Sequence, residues 1–275
     1  IQILHHAYIL NLSKVMLVDS NGGDGTTLLS LTGSTILAQN LTPRYYEQTE
    51  SRHHVVFVLD ELTRSLAIAQ SDTSGGDGTS MAIRFEEEFI QDMATNNLLP
   101  PISTGILGDF LLIETPDTLR PVVSAGFLNY TTGLLRIFTN ETLDMTPSSS
   151  KVNLNGFTLH DVGSSTIIQL TGARVLDVDG LSFDITLNEE QRAIAVSLSN
   201  TPGGTTNAPI RLSIAAGSFV DVAQNHNVEV SSLALSEAPD TLNPQLVRVD
   251  LDLSDGTMWI RWDETMDLTP VSGNV

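Results

Sequence analysis

The chain has 275 residues, a length that suits about two domains of ordinary size. It contains no cysteine, which excludes disulfides, thiolate metal sites and thiol catalysis. Its 13 Lys and Arg residues stand against 33 Asp and Glu residues, and the formal net charge of −20 argues against nucleic acid or an anionic membrane as the partner. No apolar run is long enough to predict a membrane span.

Two loops in the first part of the chain combine acidic side chains with glycine, over residues 19–26 and 72–79. Oxygen ligands separated by flexible glycines are compatible with a calcium site. The candidate ligands are Asp19, Asn21, Asp24, Asp72 and Asp77. Neither loop has the spacing of an EF-hand, and a glycine-rich hairpin loop explains both without an ion. We therefore expect no metal and no cofactor, with Ca²⁺ as the alternative.

Sequons of the form Asn-x-Ser/Thr occur along the chain. Their asparagines are Asn11, Asn40, Asn129 and Asn140. In a cysteine-free protein rich in threonine they favour secretion and N-linked glycans, although ordinary polar loops also contain such tripeptides. The sequence therefore predicts an extracellular or cell-surface protein with these asparagines at exposed turns or strand edges.

Most of the chain has the apolar alternation of β-strands, and no long stretch has helical periodicity. The strands predicted in the middle of the chain are residues 181–187, 193–198, 210–214 and 228–235. Clusters of Gly, Asn and Pro separate them at the short spacing typical of a sandwich. We predict an all-β protein made of tandem immunoglobulin-like β-sandwiches, with roughly seven to nine strands per repeat.

A β-hairpin is predicted in the last forty or so residues. Apolar and charged residues alternate in its first strand, Ser254-Asp-Gly256 forms the turn, and a second apolar face follows. The apolar side chains are Val247, Val249, Leu251, Leu253, Met258, Ile260 and Trp262. We expect them to act as plugs that fill the core of another domain.

This hairpin opens a third copy of an internal repeat. Residues 237–244 restate residues 114–121, and residues 264–270 match residues 141–147 in the same register. Self-similarity at a long fixed period indicates an array of like domains. The copies divide the chain into an incomplete acceptor domain (1–114), a complete domain (115–237) and a donor segment (238–275).

The first copy lacks the part that the third copy supplies. Its match to the complete copy starts at Leu10, opposite Val152, and nothing in it corresponds to residues 121–151. Because open sheet edges are strongly avoided, we expect the donor segment to complete an acceptor domain. The linker 238–244 reaches only about 20 Å at roughly 3.3 Å per residue, so the donor is expected to enter a neighbouring copy. A fragment of a longer array is the alternative.

One segment after a predicted strand carries a recognisable pattern. Gly217, Phe219, Asp221 and Asn225 stand at fixed spacing, with Gln224 directly before the asparagine. This resembles the tandem immunoglobulin-like repeats of microbial surface proteins, which usually have glycine at the position of Gln224. In organisation, the chain also resembles the strand-exchanged protomers of glycosylated extracellular fibrils from aquatic microbes. The resemblance implies the fold and a surface location, and it implies no activity.

The sequence carries no nucleophile elbow, phosphate loop, zinc-protease helix or dinucleotide fingerprint, so we predict that the protein is not an enzyme. We predict a structural protomer of an extracellular glycosylated filament that polymerises head to tail by donor-strand complementation. Its partners are copies of itself and N-linked glycans. The alternative function is a segment of a long cell-surface adhesin with immunoglobulin-like repeats, which binds glycans or Ca²⁺.

Overall fold

The computed structural model of the protein describes residues 11–19, 28–37, 56–86, 89, 96, 109–163 and 166–267. These residues form a mostly β fold with several antiparallel sheets. The chain divides into two compact units. The first unit contains residues 1–119 and 222–225, and the second unit contains residues 120–221 and 226–275.

The first unit begins its regular structure with a 3-10 turn at Leu12–Lys14. Its further elements are β1 (Val15–Asp19), β2 (Leu28–Ser30), β3 (Thr35–Leu37), β4 (Val56–Val58), α1 (Glu61–Ala69), β5 (Met81–Phe85) and β6 (Asp109–Leu111). The described strands form one sheet in the order β2-β1-β5-β6 and a separate pair, β3-β4.

The second unit repeats this plan and adds strands to it. Its elements are β7 (Val123–Asn129), β8 (Leu134–Leu143), α2 (Ser148–Lys151), β9 (Phe157–His160), β10 (Ile167–Gln169), β11 (Arg174–Val175), β12 (Gly180–Thr186), α3 (Glu189–Ser197), β13 (Arg211–Ile214), β14 (Val230–Ala234) and β15 (Ser236–Ala238). One sheet has the order β10-β9-β13-β14, and the other has the order β11-β12-β8-β7-β15. In the larger sheet β15 runs parallel to β7, and the other neighbouring strands are antiparallel.

Both sheets of the second unit bury their apolar side chains in one core. In β8 the odd-numbered residues from Leu135 to Leu143 are buried, and those between them are exposed or half-buried, as a strand with one covered face requires. The rings of Phe157, Phe183 and Phe219 pack together at centroid distances of 5.4 to 6.2 Å. Each such side chain contributes about 1.5–3 kcal/mol when it is fully buried, so this core holds the two sheets together.

The strand predicted over residues 193–198 is wrong, because residues 189–197 form the helix α3. Asn188 accepts a hydrogen bond from the backbone N–H of Gln191 at 2.9 Å, and the Gln191 side chain accepts one from the Asn188 N–H at 3.0 Å. This reciprocal capping box satisfies amides at the start of the helix. A helix of nine residues is too short to show a clear apolar period, which explains the error.

The last elements of the second unit form a separate hairpin, β16 (Leu246–Asp252) and β17 (Thr257–Trp262), as the alternation predicts. We call this the C-terminal hairpin. Gly256 in its turn has φ of +78°, a conformation that glycine adopts without strain. Among the described residues, these two strands pair only with each other.

Candidate assembly site

The C-terminal hairpin copies the β7–β8 hairpin of the complete sheet pair by pair. All of its cross-strand pairs lie 123 residues beyond a pair of β7–β8, which is the spacing from Glu114 to Glu237. Leu251 opposite Met258, for example, repeats Leu128 opposite Leu135. Both hairpins also have an irregularity at the same place, after the first pair. The sequence repeat is therefore also a repeat of backbone register.

Equivalent side chains differ completely in burial between the two hairpins. In β7–β8, Leu128, Leu135 and Ile137 are 0% exposed because the second sheet covers them. Their counterparts in the C-terminal hairpin are Leu251, Met258 and Ile260, which are 52–56% exposed. The C-terminal hairpin thus has the register of a buried hairpin, but no sheet among the described residues covers its apolar face.

The remaining predicted donor side chains are exposed as well. Leu253 is 87% exposed, whereas its counterpart Tyr130 is fully buried. Val249 and Trp262 are also exposed and correspond to buried positions. Val247 differs from the others, because it lies at the irregularity of β16 and its counterpart Ser124 is exposed. Six of the predicted plugs therefore correspond to inward positions of the complete sheet, and Val247 does not.

Arg192 of α3 holds the base of the C-terminal hairpin. Its guanidinium pairs with Asp240 in the linker, with Glu189 at 2.8 Å and with Glu264 after β17 at 3.3 Å. The backbone N–H of Thr265 donates to Glu189 at 2.8 Å. Hydrogen bonds to Glu189 raise the pKa of Arg192 above its usual range. Burial would raise the pKa of Glu189, but the bonds from Arg192 and Thr265 lower it, so both groups are charged near neutrality.

The sequence predicted no role for Arg192, although the repeat carries a signal for it. Arg64 in the first unit binds Glu61 at 2.7 Å and Asp117 at 2.7 Å, the same arrangement one repeat earlier. In the repeat, Glu61 and Arg64 match Glu189 and Arg192, and Asp117 matches Asp240. The same set of one arginine and two acids therefore recurs in both units. The arginine of each helix binds an aspartate that follows β6 in the first unit and β15 in the second.

The first unit has a counterpart of β12, the strand that flanks β8 in the second unit. In β3–β4, Ile36 lies opposite Phe57, and in β11–β12 Val175 lies opposite Ile185 in the same register. The strand β12 also pairs with β8 along its other edge. Among the described residues, β4 pairs only with β3. The edge of β4 that corresponds to the β8 side of β12 therefore has no described partner strand.

The core of the first unit is less covered than that of the second. Phe57, Leu59 and Ala67 are half-buried, whereas the equivalent residues of the second unit are buried. Among the described residues, the buried core cluster of the first unit consists of Val15, Leu17, Leu31, Met81 and Phe89. Val58 is 45% exposed and Ile113 is fully exposed. Phe57, Leu59 and Ala67 are thus partly exposed at positions that are buried in the second unit, whereas the counterparts of Val58 and Ile113 are exposed there as well.

Of the sequon asparagines among the described residues, two lie at a turn or strand end and one lies within a strand. Asn11 begins the 3-10 turn and accepts from Ser13, and Asn129 ends β7 and accepts from the N–H of Thr131 at 3.0 Å. Asn140 is exposed in β8. Asn40 lies outside the described residues. These positions make hydrogen bonds of their own, and glycosylation remains a prediction.

The calcium candidates of the described residues make ordinary loop contacts. The Thr79 hydroxyl lies 2.6 Å from an Asp77 oxygen and 3.0 Å from an Asp19 oxygen. Asp72 is exposed, and its N–H donates to Glu114 at 2.8 Å. Asn21 and Asp24 lie outside the described residues. These contacts explain the second loop as a glycine-rich turn, and Ca²⁺ binding stays the alternative to the prediction of no metal.

The pattern around Gly217 forms turns that bury two of its side chains. Gly217 has φ of +78°, and Phe219 and Asp221 are buried. Gln224 has φ of +70°, so it adopts the left-handed conformation for which glycine is favoured. The Asn225 side chain donates to the Asp117 carbonyl at 3.2 Å. The position at which the sequence departs from the resembling repeats thus retains the backbone conformation of glycine.

Comparisons with models of protein families, with curated proteins and with solved structures return no match for this chain. Across the described residues, no helix has the length and hydrophobicity needed to cross a membrane.

Proposed function

We propose that the protein is a structural subunit of an extracellular glycosylated filament, which polymerises head to tail by donor-strand complementation. One observation carries this proposal. The C-terminal hairpin has the register of β7–β8, yet the side chains that β7–β8 buries are exposed in it. A second copy of the chain is the partner that this face fits, because the first unit carries the matching strands.

In this proposal both units are immunoglobulin-like sandwiches, and the first is completed by the hairpin of another copy. The apolar face that would be covered consists of Val249, Leu251, Leu253, Met258, Ile260 and Trp262. These side chains are about half exposed in the single chain, so covering them contributes on the order of 5–10 kcal/mol before the costs of association. Because the donor and acceptor are different surfaces, each subunit that binds leaves a free donor or acceptor for the next one. Such head-to-tail contacts extend into a filament when they do not form a closed ring.

Removal of the hairpin tests the function directly. A protein truncated after Asn243 is expected to stay monomeric in light scattering and to form no filaments in electron micrographs. The peptide 244–275 is expected to bind the truncated protein and raise its Tm. A truncated protein that still forms normal filaments contradicts the proposal.

Single substitutions on the two faces of β17 give a matched pair. Both Trp259 and Ile260 are exposed in the single chain, so neither substitution disturbs the fold of the monomer. Ile260→Asp places a charge on the face to be buried and is expected to abolish polymerisation. Trp259→Asp changes the opposite face and is expected to leave polymerisation largely intact. An equal effect of both substitutions would instead favour non-specific apolar association.

The adhesin alternative predicts a different result. An isolated repeat segment of an adhesin stays monomeric at all concentrations and binds a glycan surface or Ca²⁺. Sedimentation without any glycan ligand separates the two functions, because only the filament subunit forms end-to-end polymers alone.

A further inference from the structure

The β7–β8 hairpin of the complete sheet is held along both of its edges. On one edge β8 pairs antiparallel with β12, where Leu135 lies opposite Ile185. On the other edge β7 pairs parallel with β15, where Leu128 lies beside Glu237. The hairpin is therefore inserted between two strands that are remote from it in sequence.

The first unit has a counterpart of each flanking strand. The counterpart of β12 is β4, as the register of β3–β4 shows. The counterpart of β15 is the segment 113–115, which repeats residues 236–238 at the spacing of 123. The segment 113–115 forms no strand, and its first side chain, Ile113, is fully exposed. A hairpin between β4 and this segment would reproduce the five-stranded order of the second unit.

Resting on the proposed function, we propose that the first unit accepts the C-terminal hairpin of a second copy in a slot with two edges. The strand β17 enters antiparallel to β4, with Met258 opposite Phe57 and Thr257 opposite Val58. The strand β16 enters parallel to the segment 113–115, with Asp250 beside Ile113. These pairs are the counterparts of pairs in the complete sheet. The partner is therefore a second copy in one defined register.

The hydrogen bonds of the equivalent acids Glu114 and Glu237 fit this register. In the complete sheet the Tyr130 hydroxyl donates to Glu237 at 2.5 Å. The hairpin has Leu253 at the position of Tyr130, and leucine has no donor to offer. The equivalent acid, Glu114, already accepts from the backbone N–H of Met81 at 2.7 Å and from that of Asp72 at 2.8 Å. The acceptor thus has no polar group at this position that the incoming leucine would leave unsatisfied.

The sizes of the plugs also fit. The hairpin carries Val249 at the position of Gly126 and Trp262 at the position of Thr139. In the complete sheet a Cβ at Gly126 would lie 2.4 Å from the end of the Leu235 side chain, so this buried leucine would have to shift to admit a valine. The equivalent residue of the first unit, Leu112, is only half-buried. The larger side chains of the hairpin therefore suit the more open acceptor better than the complete unit.

Cross-linking tests the antiparallel edge, and the cysteine-free chain provides a clean background. A protein with Val58→Cys is mixed with one carrying Thr257→Cys under mild oxidation, so that every disulfide formed joins two molecules. The pair is directly opposite in the proposed register, within reach of a disulfide. Phe57→Cys with Met258→Cys is tested in parallel, because neighbouring pairs alternate in hydrogen-bonding type and so in cross-linking efficiency.

The matched control moves one cysteine by two residues along the same face. Val58→Cys mixed with Trp259→Cys is displaced by about 6.6 Å along the strand, beyond the reach of a disulfide. We expect a cross-linked dimer at about tenfold higher yield for an in-register pair than for this control. A higher yield from the displaced pair, within filaments that form normally, overturns the register.

The parallel edge is tested in the same way. Ile113→Cys is mixed with Asp250→Cys, and the control replaces Asp250→Cys with Asp252→Cys, two residues farther along β16. Filaments that form without preference for Asp250→Cys overturn the second edge of the slot and leave the proposed function intact. Failure of all variants and of the unsubstituted protein to polymerise contradicts the proposed function itself.

Discussion

The caps of the two equivalent helices differ in charge. In the first unit Asp60 accepts from the Thr63 N–H at 2.9 Å, and in the second unit the neutral Asn188 has the same role. The hydrogen bond from the Thr63 N–H lowers the pKa of Asp60 below its usual value. A helix amide bonds a carboxylate more strongly than a carboxylic acid, which explains the direction. Only the cap of α1 is therefore expected to depend on pH.

A swap of the cap residues tests this dependence. Because the folded pKa of Asp60 is lowered, its stabilisation is complete above the unfolded value of about 3.9 and is lost as pH falls through the folded pKa. In the unsubstituted protein the amides at the start of α1 are expected to exchange faster below about pH 4, and in Asp60→Asn this acid-induced increase is expected to disappear. Asn188→Asp is expected to introduce it in α3. Hydrogen exchange, corrected for its intrinsic pH dependence, measures both, and an unchanged acid response in Asp60→Asn contradicts the assignment.

Asparagine chemistry also sets the prediction for glycans. Asn140 is exposed, and Asn153 is the structural equivalent of Asn11 but has Asn155 where a sequon needs a hydroxyl. We expect sugar on at least two of the predicted asparagines in native material, including Asn140, and none on Asn153. Glycopeptide mass spectrometry checks the sites. The substitution Asn140→Gln is expected to remove the sugar at that site alone. Native protein without sugar on any of the four removes the support for secretion.

At the scale of elements, alternation predicted the C-terminal hairpin because an apolar period of two was intact from Val249 to Leu253. The repeat also implied its pairing, since the same spacing relates every cross-strand pair to β7–β8. The helix α3 was missed because tertiary packing, rather than a visible apolar period, decides so short an element. The capping pattern from Asn188 to Gln191 was the available signal. The role of Arg192 was missed because two of its acidic partners, Asp240 and Glu264, are far from it in sequence.

The base of the hairpin is expected to depend on Arg192. Arg192→Met keeps an aliphatic stem but leaves Asp240 and Glu264 without their cation. We expect the free energy of unfolding of the second unit to fall by about 1–3 kcal/mol, because partly buried carboxylates lose charge-assisted hydrogen bonds. Denaturant unfolding measures the loss, and hydrogen exchange at Thr265 is expected to quicken.

The matched control is Arg136→Met. Arg136 forms a two-pronged pair with Asp184, but its side chain is far more exposed than that of Arg192. Solvent screens exposed pairs, so this substitution is expected to cost clearly less. Equal losses from the two substitutions would show that the cluster at Arg192 has no special role.

The choice between glycine and valine in the two hairpins is expected to have opposite consequences. Gly126→Val overpacks the complete core against Leu235 and is expected to lower the free energy of unfolding by about 1–3 kcal/mol. Val249→Gly changes an exposed side chain, so we expect unchanged unfolding of the monomer and a weaker joint between molecules. Thermal unfolding and the concentration needed for polymerisation measure the two effects. A Gly126→Val protein as stable as the unsubstituted one contradicts the close contact.

At the scale of the whole molecule, each subunit in this scheme has one acceptor and one donor. Neighbouring subunits of net charge −20 repel each other, so salt is expected to promote growth by screening. The apolar face of the hairpin supplies an attraction that salt does not weaken. The order of donor and acceptor along the chain gives the filament a direction, because every joint has the same sense.

In a filament with one direction, a subunit with a defective donor stops growth at the end that it joins. A protein with Ile260→Asp keeps its acceptor but has a defective donor, so it ends a filament wherever it joins. Added as a minor fraction to the unsubstituted protein, it is expected to shorten filaments roughly in proportion to its share, because each defective copy blocks one end. Trp259→Asp at the same fraction is expected to leave the length distribution unchanged. Length distributions from electron micrographs measure both. If the hairpin instead closed onto its own chain, no filament would form at any protein concentration, and the defective copies would leave the remaining molecules unaffected.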